Sequence, residues 1–181
     1  MAADEVLTLD KAYKKAVNGL RKLGWKDLEL DSKKKGINAS FESPKDIWEI
    51  LLGFDSHESY EVRSRSSWKI QSDASDIAQH LVDKINQGNP EHDFKMNDDG
   101  SFEVKTMSSI MQKEIFMDNI KKSMLNNIHA YESYVEMMKR FVNVESKHLE
   151  KETEGFRALM DTEFSPIANK DEQYIRLNLQ K

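Results

Sequence analysis

The feature that most limits the fold is the period of the apolar residues, which switches four times along the chain. Val6, Leu9, Tyr13, Ala16, Val17, Leu20 and Leu23 recur at three- and four-residue steps, the spacing of one helix face. After Trp25 the step falls to two, first at Leu28 and Leu30, then at Ile37, Ala39 and Phe41, and again around Tyr60 and Val62. Helical spacing returns with Ile77, Leu81, Val82 and Ile85, and gives way to alternation at Phe94, Met96, Phe102 and Val104. A last helical pattern starts at Ile110. Strands grouped between helices, rather than alternating with them one by one, pair as antiparallel hairpins. The reading is therefore an α+β fold, with an antiparallel sheet of about five to six strands packed on N-terminal, middle and long C-terminal helices. It predicts one domain over residues 1–142 and a helical or extended tail over 143–181.

Local signals set the boundaries. Thr8 is a suitable N-cap for the first helix, and Gly24 stands where the chain needs a residue tolerant of positive φ. Lys33-Lys34-Lys35 before Gly36 reads as a solvated turn. Ser43-Pro44 followed by Asp46 is a good helix start, yet Trp48, Ile50, Leu52 and Phe54 alternate. The neighbouring stretch places Tyr60, Val62, Trp68 and Ile70 on one face and wants a hairpin partner, so strand is favoured for 47–54. Ser72 or Asp73 is expected to cap the middle helix, which Gly88-Asn89-Pro90 ends. Asn97-Asp98-Asp99-Gly100 is a tight-turn sequence joining two short strands. Ile175, Leu177 and Leu179 alternate with polar residues and predict a terminal strand able to add to a sheet edge.

The last helix carries the most unusual pattern. Its stripe advances by threes and fours from Phe116 to Val142, and Met111, Met117, Met124, Met137 and Met138 lie on or beside it. Counted from Ile110 the pattern covers roughly 30 residues, a helix of about 45 Å, longer than a small sheet is wide. Met, Tyr and aliphatic side chains in such a stripe ordinarily form a core, but they also suit surfaces that accept a partner. Met124, Ile128, Tyr131, Val135 and Met138 are the candidate contact surface of a homodimer or partner seam. An apolar ligand cavity between this Met-rich helix and the sheet is the alternative.

Composition narrows the chemistry. With 0 Cys, disulfide scaffolds, cysteine-ligated metals and thiol catalysis fall away. His57, His80, His92, His129 and His148 form no i,i+4 pair and no HExxH, so no metal site is expected. There is no GxSxG, P-loop or GxGxxG, and no cofactor or catalytic residue is assigned. Formal net charge is −5, with 27 basic residues against 32 acidic ones, which disfavours nucleic acid. No apolar run approaches the ~18–20 residues of a membrane span. The first ten residues carry acids and no base, unlike a targeting peptide. The expectation is a cytoplasmic protein. Arg63 and Arg65 share a strand face and could meet an acidic partner, although the polar side of a half-exposed sheet is the ordinary place for such a pair.

The segment from Ser75 to Met138 resembles the YbjN family of small bacterial α+β proteins, which are similar in fold to type III secretion chaperones. The resemblance rests on a helix ending in Ile85-Asn86, then Asn89, a strand with Phe94, the turn Asp98-Asp99-Gly100, the strand Phe102 to Thr106 and a long helix with an aromatic near its end. The opening helix ending in Leu23-Gly24 agrees with it. Where that family tends to have Trp before the Asn, this chain has Gly88. The resemblance implies a non-enzymatic, dimeric protein of chaperone-like or regulatory type, with no catalytic residues to carry over.

Overall fold

Period-two alternation becomes six strands of one antiparallel sheet in the computed structural model, which describes residues 7–55, 59–109 and 116–142. They are β1 (Glu29–Asp31), β2 (Gly36–Glu42), β3 (Ile47–Phe54), β4 (Ser59–Lys69), β5 (Asp93–Met96) and β6 (Ser101–Ser109), in the spatial order β1-β2-β3-β4-β6-β5. Three helices, α1 (Leu9–Lys22), α2 (Ser75–Gly88) and α3 (Phe116–Lys139), share a core with one face of this sheet. The expected fold class is the observed one, and residues 47–54 are strand.

Pairing keeps the apolar parity in register from strand to strand. Phe41 lies opposite Trp48, Leu52 opposite Val62, and Phe94 opposite Val104, all of them buried. A one-residue slip would turn these side chains to solvent, so the pattern itself specifies the register. On β4 the buried parity continues through Ser64 and Ser66 rather than passing straight to Trp68 and Ile70. The β4–β6 register shifts between Arg65 and Lys69, which leaves Trp68 half-buried and Ile70 beyond the strand. Leu30, expected inside, is 42% exposed, because β1 is a three-residue edge strand.

Helix ends follow their caps in part. Thr8 Oγ1 accepts the Lys11 N–H at 3.4 Å, and Gly24 adopts φ 102° as the chain leaves α1. Neither Ser72 nor Asp73 caps α2. They form a short 3-10 turn instead, and the cap position is Ala74, which has no side-chain bond to give. Gly19 allows α1 to approach α3, since a Cβ there would overlap the side chain of Met117.

The direction of α3 revises the expectation drawn from its length. Ser123 meets Tyr60, Asn127 meets Ser64, and Tyr131 stacks on Trp48, the register partner of Ser66. The helix thus runs along β4 instead of across the strands. Its 24 residues span about 36 Å, and the 11 residues of β4 span about the same. Helix and strand match over the described residues, so no length of the described helix overhangs the sheet. The predicted first turns, from Ile110 to Ile115, and the tail from 143 with its terminal strand lie outside the described residues.

Candidate functional site

The five residues of the proposed seam are in the core. Met124 is 4% exposed, and Ile128, Tyr131, Val135 and Met138 are 0% exposed. Polar side chains tie the same helix face directly to the sheet. Asn127, wholly buried, accepts from Ser64 Oγ at 2.6 Å and donates to the Val62 and Val104 carbonyls at 3.0 Å each. Ser64 in turn accepts the Trp48 indole N–H at 2.9 Å, and the Ser123 hydroxyl meets those of Tyr60 and Ser108. The ring of Tyr131 fills the remaining space, 4.6 Å from Trp48 and 5.7 Å from Phe102. The expected ligand cavity between sheet and helix is therefore occupied by side chains. Helix and strands touch through single hydrogen bonds, too close to hold a ligand.

Tyr131 also explains how the helix end is held. Its hydroxyl donates to Asp46 at 2.9 Å, and burial together with that carboxylate holds its phenol well above the usual range. Asp46 collects two further donors, the Trp68 indole at 2.8 Å and the Lys139 ammonium at 2.7 Å. One carboxylate in the loop before β3 thus joins β4 to the last turn of α3.

Arg63 and Arg65 lie on the opposite, outer face of the sheet, each engaged within the chain. Arg63 pairs with Glu61 and approaches Glu103 at 3.9 Å. Arg65 bonds Asp99 and Ser101, both at 3.0 Å. Glu103, 3% exposed, is further met by Lys95 at 3.2 Å. The side-chain and backbone bonds from Ser101, joined by Lys69 and Arg65, hold the Asp99 carboxyl well below the usual range. These pairs knit β4, β5 and β6 across their solvent face.

The two edges of the sheet are treated differently, and the contrast singles out a site. At the β5 edge the outward N–H and C=O of Phe94 are both bonded by the Asn86 side chain, at 2.8 Å each. At the other edge β1 pairs only with Gly36 to Asn38. The bonds Phe54 N–H to Lys35 O and Ser43 N–H to Asp46 O set the phase of the β2–β3 ladder. Odd residues of β2 point their backbone groups at β3, and even residues point them away. Ser40 and Glu42 therefore direct an N–H and a C=O each to the side that β1 does not reach.

The cause is Trp25. It is tied to α1 by its N–H to Leu20 O at 3.1 Å and packs on Phe41, ring centres 6.4 Å apart. The segment from Gly24 to Leu28 is thereby drawn towards the core side and reaches the plane of β2 only at Glu29. A groove of about 750 Å³ opens between this segment and β2, a volume usual for binding sites. Trp25, Leu28, Ala39 and Phe41 give it apolar wall, while Ser40, Glu42, Ile47 and Glu49 line it from the outer face. Ile47 is 55% exposed there. Sequence reasoning passed over this site, although a signal existed. Trp25 and Leu28 are three apart and break the parity of a strand, so β2 is longer than the partner preceding it.

Of the histidines, His92 bonds Thr106 at 2.9 Å, His80 is exposed, His129 is buried, and His57 and His148 lie outside the described residues. No helix among the described residues is long and apolar enough to cross a membrane.

No family model matches the chain, and no curated protein matches it. Among solved structures, a chain from the "Structure of the HopA1-SchA Chaperone-Effector Complex" is similar, with 12% identity, coverage of 77% of this chain and 100% of that one, and a TM-score of 0.48. The resemblance to the YbjN family is carried by the residues quoted above alone.

Proposed function

We propose that the chain is a non-enzymatic protein-interaction module that holds an extended segment of a partner protein as an added strand beside β2. It is chaperone-like in that sense. The observation that carries this reading is the backbone of Ser40 and Glu42 beside the groove, which has no strand partner on its outer side among the described residues. An exposed strand edge offers main-chain bonds to any extended peptide, and proteins that do not use such an edge commonly cover or blunt it. Here the outward groups of Phe94 on β5 are covered, and those of Ser40 and Glu42 at the end of β2 are not, among the described residues. Partner binding is thus moved from α3, whose apolar face is spent on the sheet, to the sheet edge. A homodimer through Met124, Ile128, Tyr131, Val135 and Met138 would require α3 to leave the sheet.

Peptides selected by display against the full chain test the reading. Binding should slow amide exchange at Ser40 and Glu42. The substitution Ser40→Pro removes an outward N–H while leaving the β2–β3 ladder intact, and edge strands tolerate proline in that orientation. It should abolish binding with unchanged circular dichroism. Binders whose protection maps to α3, or that survive Ser40→Pro, would overturn the proposal.

A further inference from the structure

Resting on that edge reading, we infer that the segment received beside β2 is basic, with Lys or Arg at alternate positions and apolar residues between them. The groove is lined by the carboxylates of Asp27, Glu29, Glu42 and Glu49 against the single ammonium of Lys26. Asp27, Glu42 and Glu49 take part in no ion pair among the described residues, whereas the other sheet-face charges near Arg63 and Arg65 are paired. Glu49 stands opposite Arg65, but that guanidinium is engaged by Asp99, so three carboxylates outside any ion pair among the described residues give this short edge an excess of negative charge, which attracts cations and discourages acidic segments.

Register decides which positions of the incoming strand are basic. Ser40 lies opposite Glu49, and Glu42 opposite Ile47, all on the outer face. Ser40 is short, so an Arg placed beside it reaches over it to the Glu49 carboxylate. A residue two positions along falls beside Glu42. Residues of the other parity turn to the core side, towards Trp25, Leu28 and Phe41, and must be apolar. The walls also hold two unmet polar atoms. The indole nitrogen of Trp25, a residue 8% exposed, and the amide oxygen of Asn38 are buried and have no hydrogen-bond partner among the described residues. An incoming strand brings the main-chain acceptors and donors such atoms lack.

The experiment titrates the full chain with short labelled peptides alternating Arg and Val, Ser and Val, or Glu and Val, plus a peptide of the first composition with its arginines in one block. Affinity is read by fluorescence anisotropy and location by amide exchange. The alternating Arg peptide should bind best, at least roughly tenfold tighter than the Glu peptide, and should weaken as salt is raised. It should protect Ser40 and Glu42. The double substitution Glu42→Gln and Glu49→Gln, which leaves the core untouched, should remove most of that preference. Equal binding of the Arg, Ser and Glu peptides would overturn the basic-segment inference while leaving the edge reading standing. Equal binding of the blocked and alternating Arg peptides would overturn it as undirected charge attraction. Binding of none of them, or binding unaffected by Ser40→Pro, would overturn the edge reading itself. Protection of both amides in the free chain that Leu177→Pro removes would give the edge to the chain's own terminal segment and overturn both. Protection that grows with protein concentration would give it to a second copy, with the same consequence.

Discussion

Asn86 and the backbone of Phe94 exchange two hydrogen bonds of 2.8 Å, so a single side-chain amide does for β5 what a neighbouring strand would do. The geometry works because Asn, unlike Asp or Leu, carries a donor and an acceptor at the spacing of a peptide group. It satisfies the outward backbone groups of Phe94 on that edge of the sheet.

Replacing Asn86 with Ala should cost about 1–3 kcal/mol, since both Phe94 groups then lose their partners. Chemical denaturation measures the loss. The uncovered β5 edge should also make the variant more prone to aggregate on heating, as followed by light scattering. A variant as stable as the parent would show that water replaces the amide without penalty.

Asn127 should be the most sensitive polar position of α3. Its amide meets Ser64, Thr106 and two sheet carbonyls in a wholly buried site. Asn127→Ala should destabilise by about 3 kcal/mol or more, because several buried groups are orphaned together. Asn127→Asp should be worse, since a carboxylate would face the Val62 and Val104 carbonyls. The ordering of the two variants in urea midpoints tests the claim.

A charge placed on the inner face of α3 should unfold the protein. Met138→Lys or Tyr131→Lys puts an ammonium where the present side chain is 0% exposed. Loss of near-ultraviolet circular dichroism is the expected result. A folded variant with altered association would instead return these residues to a partner seam.

Burial pushes the His92 imidazole below its ordinary value, opposed by the nearby Glu91 carboxylate. The folded state thus resists protonation more than the unfolded chain does. The stability linked to His92 is fully present above pH about 6.5 and is lost as pH falls below it, where the unfolded chain takes up the proton first. Urea unfolding at pH 7.5 and 5.5 should show the parent losing more stability than His92→Gln.

Much of this architecture could be read in one dimension. The 47–54 segment shows how: its Ser43-Pro44 start favoured a helix, but the alternation of Trp48, Ile50, Leu52 and Phe54 was the stronger term because burial of four large side chains outweighs a cap. The α3 stripe was equally plain, yet the orientation of that helix was not. Its length looked excessive against the width of a sheet and proved equal to the length of β4. Ser64, Ser66 and Asn127 escaped notice because short polar residues carry no hydrophobic signal, and their burial follows from partners 16 to 65 residues away.

The sequence by itself determined the element types and the identity of the sheet's apolar face, since these depend on periodicity and on neighbours a few positions apart. The candidate site was decided only in three dimensions. Whether an edge is open depends on what folds beside it, and here Asn86 reaches β5 while Trp25, anchored on Phe41, holds the preceding segment away from Ser40 and Glu42. Both outcomes are differences in where backbone hydrogen bonds end, a quantity that exists only once distant parts of the chain are packed together.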